Sequence, residues 1–283
     1  MTDTVKTGLV LEGGAMRGMY TAGVLDVFLE KGVCFDGLIG VSAGAITGCS
    51  FVSGQKGRTI RYNRNYCRDK RMMSLYSLLT TGDLVGNRFC YHEIPEKLDP
   101  FDSEAFRTSK TAFYVTCTNL ETGQPEYIRL RDMTAEIDYM RASASMPYVS
   151  RIVEIGGKKL LDGGCSDSIP VRKALEMGFG KTVVVLTRPA DYRKKRSKTS
   201  LAPVFYRKYP KFIQTLRNRA DNYNRSVEEI QQLEQEGKVF VIRPKTPLDI
   251  GRMSHDPDEI HRAYLRGRED ALETLDDLLR WLK

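Results

Sequence analysis

The first apolar run of the chain, Gly8-Leu9-Val10-Leu11, stops at the glycine-rich stretch Glu12-Gly13-Gly14-Ala15-Met16-Arg17-Gly18. That order predicts a buried strand feeding a loop. From Met19 to Lys31 the apolar residues Tyr20, Val24, Leu25, Phe28 and Leu29 recur at helical spacing, and Gly32 supplies a stop. A second apolar run, Phe35 to Val41, leads into a small-residue helix from Ala43 to about Val52. Strand, loop, helix, strand, turn and helix in this order make a βαβ unit. Such a unit predicts a mostly parallel sheet covered by helices on both faces. Both strands then finish at the same sheet edge, which puts the glycine loop beside residue 42.

The rest of the chain continues the alternation. Arg58, Arg61, Arg64 and Arg68 recur at helical spacing and read as a solvated basic face. Met72, Met73, Leu75, Tyr76, Leu78 and Leu79 follow, either covering a cleft or joining the core. Strands are expected over Thr111–Cys117 and Glu126–Arg131, a helix over Asp138–Ser145, and a hairpin at Ile152–Ile155 and Lys159–Leu161 around Gly156-Gly157. After Asp162-Gly163-Gly164 come a helix over Ile169–Met177, a buried strand over Thr182–Leu186, a polar helix over Asn222–Glu236 and a strand over Val239–Ile242. A long amphipathic helix, Asp256–Leu282, closes the chain.

Composition narrows this picture in three ways. A chain of 283 residues with 41% hydrophobic and 28% charged side chains suits a soluble globular protein with one large α/β domain or a domain plus an appendage. No run approaches the roughly 18 apolar residues needed to span a bilayer. The start, Met1 to Thr7, lacks the order of a signal peptide, so cytoplasmic residence is expected, with peripheral contact at the inner membrane surface as a further expectation. The six cysteines show no C-x-x-C pairing and read as reduced buried thiols, with no metal site and no cofactor.

The net charge of +8 is local: between Arg188 and Arg219 stand eleven Lys or Arg and one acid, Asp191. With Phe205, Tyr206, Tyr209 and Phe212 interleaved, this segment reads as a solvated face or as contact with an anionic membrane. Nucleic-acid binding is the weaker reading. The shift in composition near residues 188–203 divides the chain into a catalytic domain, 1–187, and a basic, mostly helical extension, 188–283, packed on it.

The chemistry centres on Gly40-Val41-Ser42-Ala43-Gly44, a G-x-S-x-G pattern between a strand and a helix. A serine on such a turn projects its hydroxyl at a helix N-terminus, where backbone N–H groups favour developing negative charge. The serine needs a base. None of the three histidines, His92, His255 and His261, stands on a turn that would aim it at Ser42. Asp162 ends an apolar run with Gly163 and Gly164 behind it, so it is either the base or a turn-forming aspartate. Consecutive backbone N–H groups at Gly13-Gly14-Ala15-Met16-Arg17-Gly18 would make an oxyanion nest. A dinucleotide loop is excluded by Ala15 at the third glycine position, and a Walker A loop by the lack of Gly-Lys-Ser/Thr.

The glycine loop, Gly40-Val41-Ser42-Ala43-Gly44 and Asp162-Gly163-Gly164, in this order, resemble the patatin-like phospholipase family. Ala142-Ser143-Ala144-Ser145-Met146-Pro147 also resembles a small-residue run of that family, and the likeness covers about residues 7–175. Leu11 to Gly18 looks most like a bacterial subgroup. The departure is Ala15, where most members carry glycine, and it matters if that residue needs positive φ. The resemblance implies a three-layer α/β/α fold and a metal-free Ser42-Asp162 dyad that hydrolyses lipid or phospholipid esters through an acyl-enzyme. Backbone N–H groups of Gly13, Gly14 and Ala15 would hold the oxyanion, while Arg17 would fix the loop or meet a lipid phosphate. The alternative is a lipid-binding or regulatory module that keeps the fold without the activity.

Overall fold

The structure, a computed structural model, describes residues 5–196 and 199–283. The first four residues of the stretch read for a leader, and residues 197–198 of the basic segment, lie outside the described residues. Eight strands form one sheet: β1 (Thr7–Leu11), β2 (Gly37–Val41), β3 (Ala112–Asn119), β4 (Pro125–Leu130), β5 (Val153–Ile155), β6 (Lys158–Asp162), β7 (Lys181–Val185) and β8 (Val239–Ile242). The order is β5-β6-β3-β2-β1-β7-β8, with β4 also paired to β3. Pairings β1–β2, β2–β3, β1–β7 and β7–β8 are parallel, while those of β3 with β4 and β6, and of β5 with β6, are antiparallel.

The α-helices are α1 (Gly18–Glu30), α2 (Ala43–Val52), α3 (Arg58–Tyr66), α4 (Leu75–Thr81), α5 (Ser103–Thr108), α6 (Ile137–Ser143), α7 (Val171–Glu176), α8 (Ala202–Phe205), α9 (Pro210–Gln235) and α10 (Pro257–Leu282). Successive strand residues point to opposite faces, so each parallel strand feeds two cores. Leu9 and Leu11 of β1 join Leu38, Val183 and Val185 against Tyr20, Val24 and Phe28 of α1 and Ala271 and Leu278 of α10. Val10 joins Ile39 and Val184 against Val171 and Ala174 of α7 and Tyr223, Val227 and Ile230 of α9. The result is the expected three-layer α/β/α arrangement.

The residues after 187 are built into these layers. β8 extends the central sheet beside β7, α9 covers one face, and α10 crosses α1 on the other. That crossing is close because two glycines meet backbone: a Cβ on Gly23 would fall 2.0 Å from the Tyr264 carbonyl oxygen, and one on Gly267 would fall 1.9 Å from that of Tyr20. Tyr20 Oη donates to Asp270 at 2.9 Å, and Tyr264 Oη donates to Asp26 at 2.8 Å, locking the pair.

Three expectations change. Arg58 does not face solvent: it is 4% exposed, donates to the Asp99 carbonyl at 2.9 Å and lies 3.6 Å from the Asp99 carboxylate. Arg61 makes a two-pronged contact with the same carboxylate. The apolar run at 72–79 splits, with Met72 and Met73 buried and Leu75, Tyr76 and Leu79 exposed on α4. The helix expected over 222–236 begins at Pro210, because Phe212, Ile213 and Leu216 of the basic segment already face the core.

Candidate active site

The elbow is positioned by two glycines that admit backbone at close range. A Cβ on Gly40 would lie 2.5 Å from Ala45 Cα, and one on Gly44 would lie 2.5 Å from the Leu11 carbonyl oxygen. Between them Ser42 takes φ 53° and ψ −120°, a strained backbone that turns β2 directly into α2. Its N–H has left the sheet ladder and donates to Ser143 Oγ at 3.0 Å, and that hydroxyl donates to the Thr116 carbonyl at 2.7 Å. Ser143 therefore bridges the point where β2 peels away from β3. The Ala142 to Pro147 run stands out in the sequence, but nothing local distinguishes Ser143 from Ser145 as the residue that holds the elbow.

Asp162 arrives from the opposite direction. β2 stops with Val41 opposite Thr116, and β6 stops with Asp162 opposite Cys117. Because β4 occupies the other edge of β3 over residues 113–118, β2 and β6 share one edge and meet end to end. Ser42 and Asp162 leave the sheet at that junction. Asp162 is 6% exposed, its N–H donates to the Ser145 carbonyl at 2.8 Å, and its Oδ1 accepts the Gly164 N–H at 2.7 Å. Gly163 passes over β3 so closely that a Cβ would meet the Thr116 carbonyl oxygen at 2.1 Å.

Burial raises the pKa of Asp162, while Arg219, the Gly164 N–H and the Ser42 hydroxyl pull it back towards the ionised form. The Ser42 hydroxyl is thus a neighbour of this carboxyl, although the two do not close a hydrogen bond here. Contacts of this kind often tighten only when substrate is bound. Arg219 reaches in from α9 and donates to the Gly164 carbonyl at 2.6 Å. No histidine hydrogen-bonds to Ser42 or Asp162 among the described residues: His92 contacts Glu96, His255 contacts the Cys67 carbonyl, and His261 stacks on Tyr264.

The glycine loop lies over the elbow. A Cβ on Gly13 would fall 3.2 Å from Ser42 Cβ, and one on Gly18 would fall 2.9 Å from Ala43 Cβ. The N–H groups of Gly13, Gly14 and Ala15 have no acceptor among the described residues. Ala15 does adopt positive φ, +50°, the conformation for which glycine is the easier residue. Beneath the loop Glu12 is 2% exposed and accepts from Thr187 N at 2.6 Å, Thr187 Oγ1 at 3.0 Å and Tyr223 Oη at 2.8 Å. Arg17 is buried, its Nε lacks a partner, and burial together with Arg188 and Arg252 pushes its pKa down to about 10.

Two cavities meet at Ser42, sharing Ala15, Ser42 and Met146 in their walls. One, about 460 Å³, is apolar, and seven of the chain's ten methionines line it, Met19, Met73 and Met140 among them. The other, about 230 Å³, is lined by the charged groups of Glu12, Arg17, Asp162, Arg188, Lys194, Arg219 and Arg252. Within the described residues no cluster of His, Cys, Asp or Glu is arranged to hold a metal ion. No described helix is long and apolar enough to cross a membrane.

Fold and site together define an α/β protein with a serine elbow, a facing glycine loop and a buried aspartate turn at one sheet edge. The chain belongs to the patatin-like phospholipase family, whose model matches residues 9–175. Residues 209–283 match a domain of unknown function (DUF6363). An uncharacterized protein of Escherichia coli, YjjU, is 29% identical over 278 residues, covering 94% of this chain and 73% of the relative. Lysophospholipase NTE1 of Saccharomyces cerevisiae is 29% identical over 194 residues, which are 66% of this chain but only 11% of that protein. The solved structure of VipD from Legionella pneumophila superposes with a TM-score of 0.51 at 15% identity, over 96% of this chain and 67% of that one, and shows the shared fold. Family membership and the lysophospholipase relatives support lipid-hydrolase activity in general.

Proposed function

We propose that the chain is a serine acyl hydrolase of lipid esters, phospholipase A-like, working through Ser42 and Asp162. The observation that carries this reading is the meeting of β2 and β6 on one edge of β3, which brings the elbow serine and a desolvated carboxyl to one point. Ser42 Oγ attacks the ester carbonyl as Asp162 accepts its proton. The N–H groups of Gly13, Gly14 and Ala15 stabilise the oxyanion. The protonated Asp162 then gives its proton to the leaving alcohol, and water, activated by the same carboxylate, releases the acyl group from Ser42. The methionine-lined cavity suits the acyl chain, since Met side chains adapt to irregular apolar guests. This chemistry uses no metal or cofactor.

Two features support work at a membrane surface from the cytoplasmic side. Leu75 and Leu79 on α4, and Val204 and Phe205 on α8, are exposed apolar side chains. In the basic segment Arg193, Lys195, Arg196, Arg207, Lys208, Lys211 and Arg217 are exposed cations. Anionic vesicles are expected to co-sediment the protein and neutral vesicles are not.

The decisive test is covalent labelling by a fluorophosphonate together with turnover of short-chain nitrophenyl esters. Wild-type protein should do both, Ser42→Ala neither, and Asp162→Asn should lose turnover. Protein that binds lipid but neither labels nor hydrolyses would leave the non-catalytic module as the correct reading.

A further inference from the structure

Residues 209–283, the part of the chain that matches a domain of unknown function, reach both the aspartate turn and the glycine loop. Arg219 of α9 donates from Nε to the Gly164 carbonyl at 2.6 Å. One turn further along α9, Tyr223 holds Glu12, and the Arg252 carbonyl accepts the Met16 N–H at 3.3 Å. The contact at Gly164 differs from the other two, because that residue is tied to Asp162 from its other side: its N–H donates to Asp162 Oδ1 at 2.7 Å. A Cβ at position 164 would lie 3.1 Å from Asp162 Oδ1 and 3.6 Å from Arg219 Nη2. Carboxyl and guanidinium therefore approach the same bare Cα, and the absence of a side chain there is what lets them. Among the described residues Arg219 makes no ion pair within 4.0 Å of a carboxylate. A direct two-pronged clamp would occupy both oxygens of a carboxylate that has to take a proton. Here the turn engages Oδ1, and Oδ2 is left for Ser42.

The Gly164 carbonyl does not need Arg219 to be satisfied, since Ser168 Oγ also donates to it at 2.9 Å. A long, partly buried cationic side chain ordered onto such a carbonyl gives up rotamer freedom for little gain in stability. Its placement is explained by the carboxyl beside it. We propose that Arg219 is a positioning residue for the Ser42-Asp162 chemistry, fixing the Asp162-Gly163-Gly164 turn from behind and setting a positive charge beside the carboxyl, so that residues 209–283 are a working part of the active site. The inference rests on the hydrolase reading and gives a role within it to the region outside the patatin-like match, residues 9–175. Burial raises the pKa of Asp162, and Arg219 is foremost among the groups that pull it back. A protonated carboxyl cannot accept from Ser42, so the guanidinium keeps the base ionised in a dry site without covering it. Cys117 of β3, Cys165 of the turn and Tyr91 also face Asp162, and burial raises all three, so they stay neutral. Lys194, from the segment after β7, is a second cation there, lowered to about 7 by burial and by Arg219. Glu12, Arg17, Arg188, Tyr192, Tyr223 and Arg252 line the same cavity and are unchanged in every variant below.

The test follows kcat and KM against pH for an uncharged short-chain nitrophenyl ester, with active protein counted by the endpoint of fluorophosphonate labelling. In Arg219→Gln, kcat per labelled molecule should fall at least about tenfold with KM little changed. The acid limb of kcat/KM, which reports the base in the free protein, should move to higher pH. Arg219→Lys should return the limb to its wild-type position and recover only part of the rate, since it restores the charge but not the fork. The shift caused by Arg219→Gln should persist in a Lys194→Gln background, which removes the second cation. If the limb stays in place in Arg219→Gln, Arg219 is only a structural tie and the proposal is wrong. A raised KM with kcat kept would make it a substrate contact instead, and a shift that vanishes in the Lys194→Gln background would assign the effect to the basic segment at large; either result overturns the proposal while the hydrolase stands. If wild-type protein neither labels nor turns over the ester, the hydrolase reading itself has failed and the inference falls with it.

Discussion

Tyr223→Phe removes one oxygen atom, 211 residues away in sequence from Glu12, and is expected to disturb the glycine loop. In the native structure the phenol donates to Glu12 Oε1 at 2.8 Å, and burial together with the Glu12 charge raises the Tyr223 pKa, so the proton stays on the phenol. Both residues are buried, Tyr223 at 4% and Glu12 at 2% exposure, so water does not readily replace the lost donor. Leaving a buried acceptor unpaired costs about 1–3 kcal/mol, with charged groups towards the top of that range. At ~2 °C per kcal/mol for a chain of this size, a ~2 kcal/mol loss lowers Tm by ~4 °C. The ring itself and its stacking on Lys194 are kept, which excludes a cavity as the cause. Urea denaturation measures the cost, and repeating it in a Glu12→Gln background separates the two partners. Since an amide oxygen carries no full charge, the same substitution should cost less than half as much there. Ester turnover should fall with it, because Glu12 adjoins the loop that carries Gly13, Gly14 and Ala15. A cost below ~0.5 kcal/mol, or equal costs in the two backgrounds, would refute the reasoning.

Ala15→Gly should stabilise slightly: relief of positive φ is worth ~1–2 kcal/mol and the added freedom of the unfolded chain takes back ~0.4–1 kcal/mol, so a lower urea midpoint would contradict the strain argument. Gly267→Ala should cost ~1–3 kcal/mol despite alanine's higher helix propensity, since its Cβ would sit 1.9 Å from the Tyr20 carbonyl oxygen, and an unchanged Tm would show that α1 and α10 move apart freely. The raised pKa of Asp162 means that the folded chain binds this proton more tightly than the unfolded chain, so the stability it confers is full in acid and lost as pH rises through the folded value. Asp162→Asn should therefore raise Tm at neutral pH more than in acid, while wild-type turnover rises with pH through a midpoint above the ordinary aspartate value; an equal Tm change at both pH values would count against this.

Much of the architecture is legible in the apolar pattern because the central strands carry compact apolar runs, Leu9–Leu11 in β1 and Val183–Val185 in β7 among them, fenced by glycine or polar turns. The order strand, loop, helix, strand, elbow suffices to bring Gly13 and Ser42 together, and the elbow glycines announce their own close contacts. What is not legible depends on pairings distant in sequence. Arg58 reads as solvated because its partner Asp99 lies 41 residues on, and no local periodicity reports a buried ion pair. The cations at 188, 194 and 219 read as a surface for the same reason: charge counts say nothing about direction, and the cavity they line takes its other walls from residues distant in sequence, Glu12, Tyr148 and Arg252 among them. Ser143 is invisible as a positioning residue until β2 and β3 are seen to part above it.

The end-to-end meeting of β2 and β6 makes β3 a ruler. The spacing of Ser42 and Asp162 is set by one residue step, Thr116 to Cys117, whatever lies in the long connections before and after that strand. Segments such as the one holding α3 to α5 are therefore free to lengthen, shorten or change sequence without altering the distance on which the proposed chemistry depends. A single residue inserted between Thr116 and Cys117 would have the opposite effect. It would move Asp162 one step along the edge and turn the following side chains to the other face, abolishing the site while leaving every one of its residues in place.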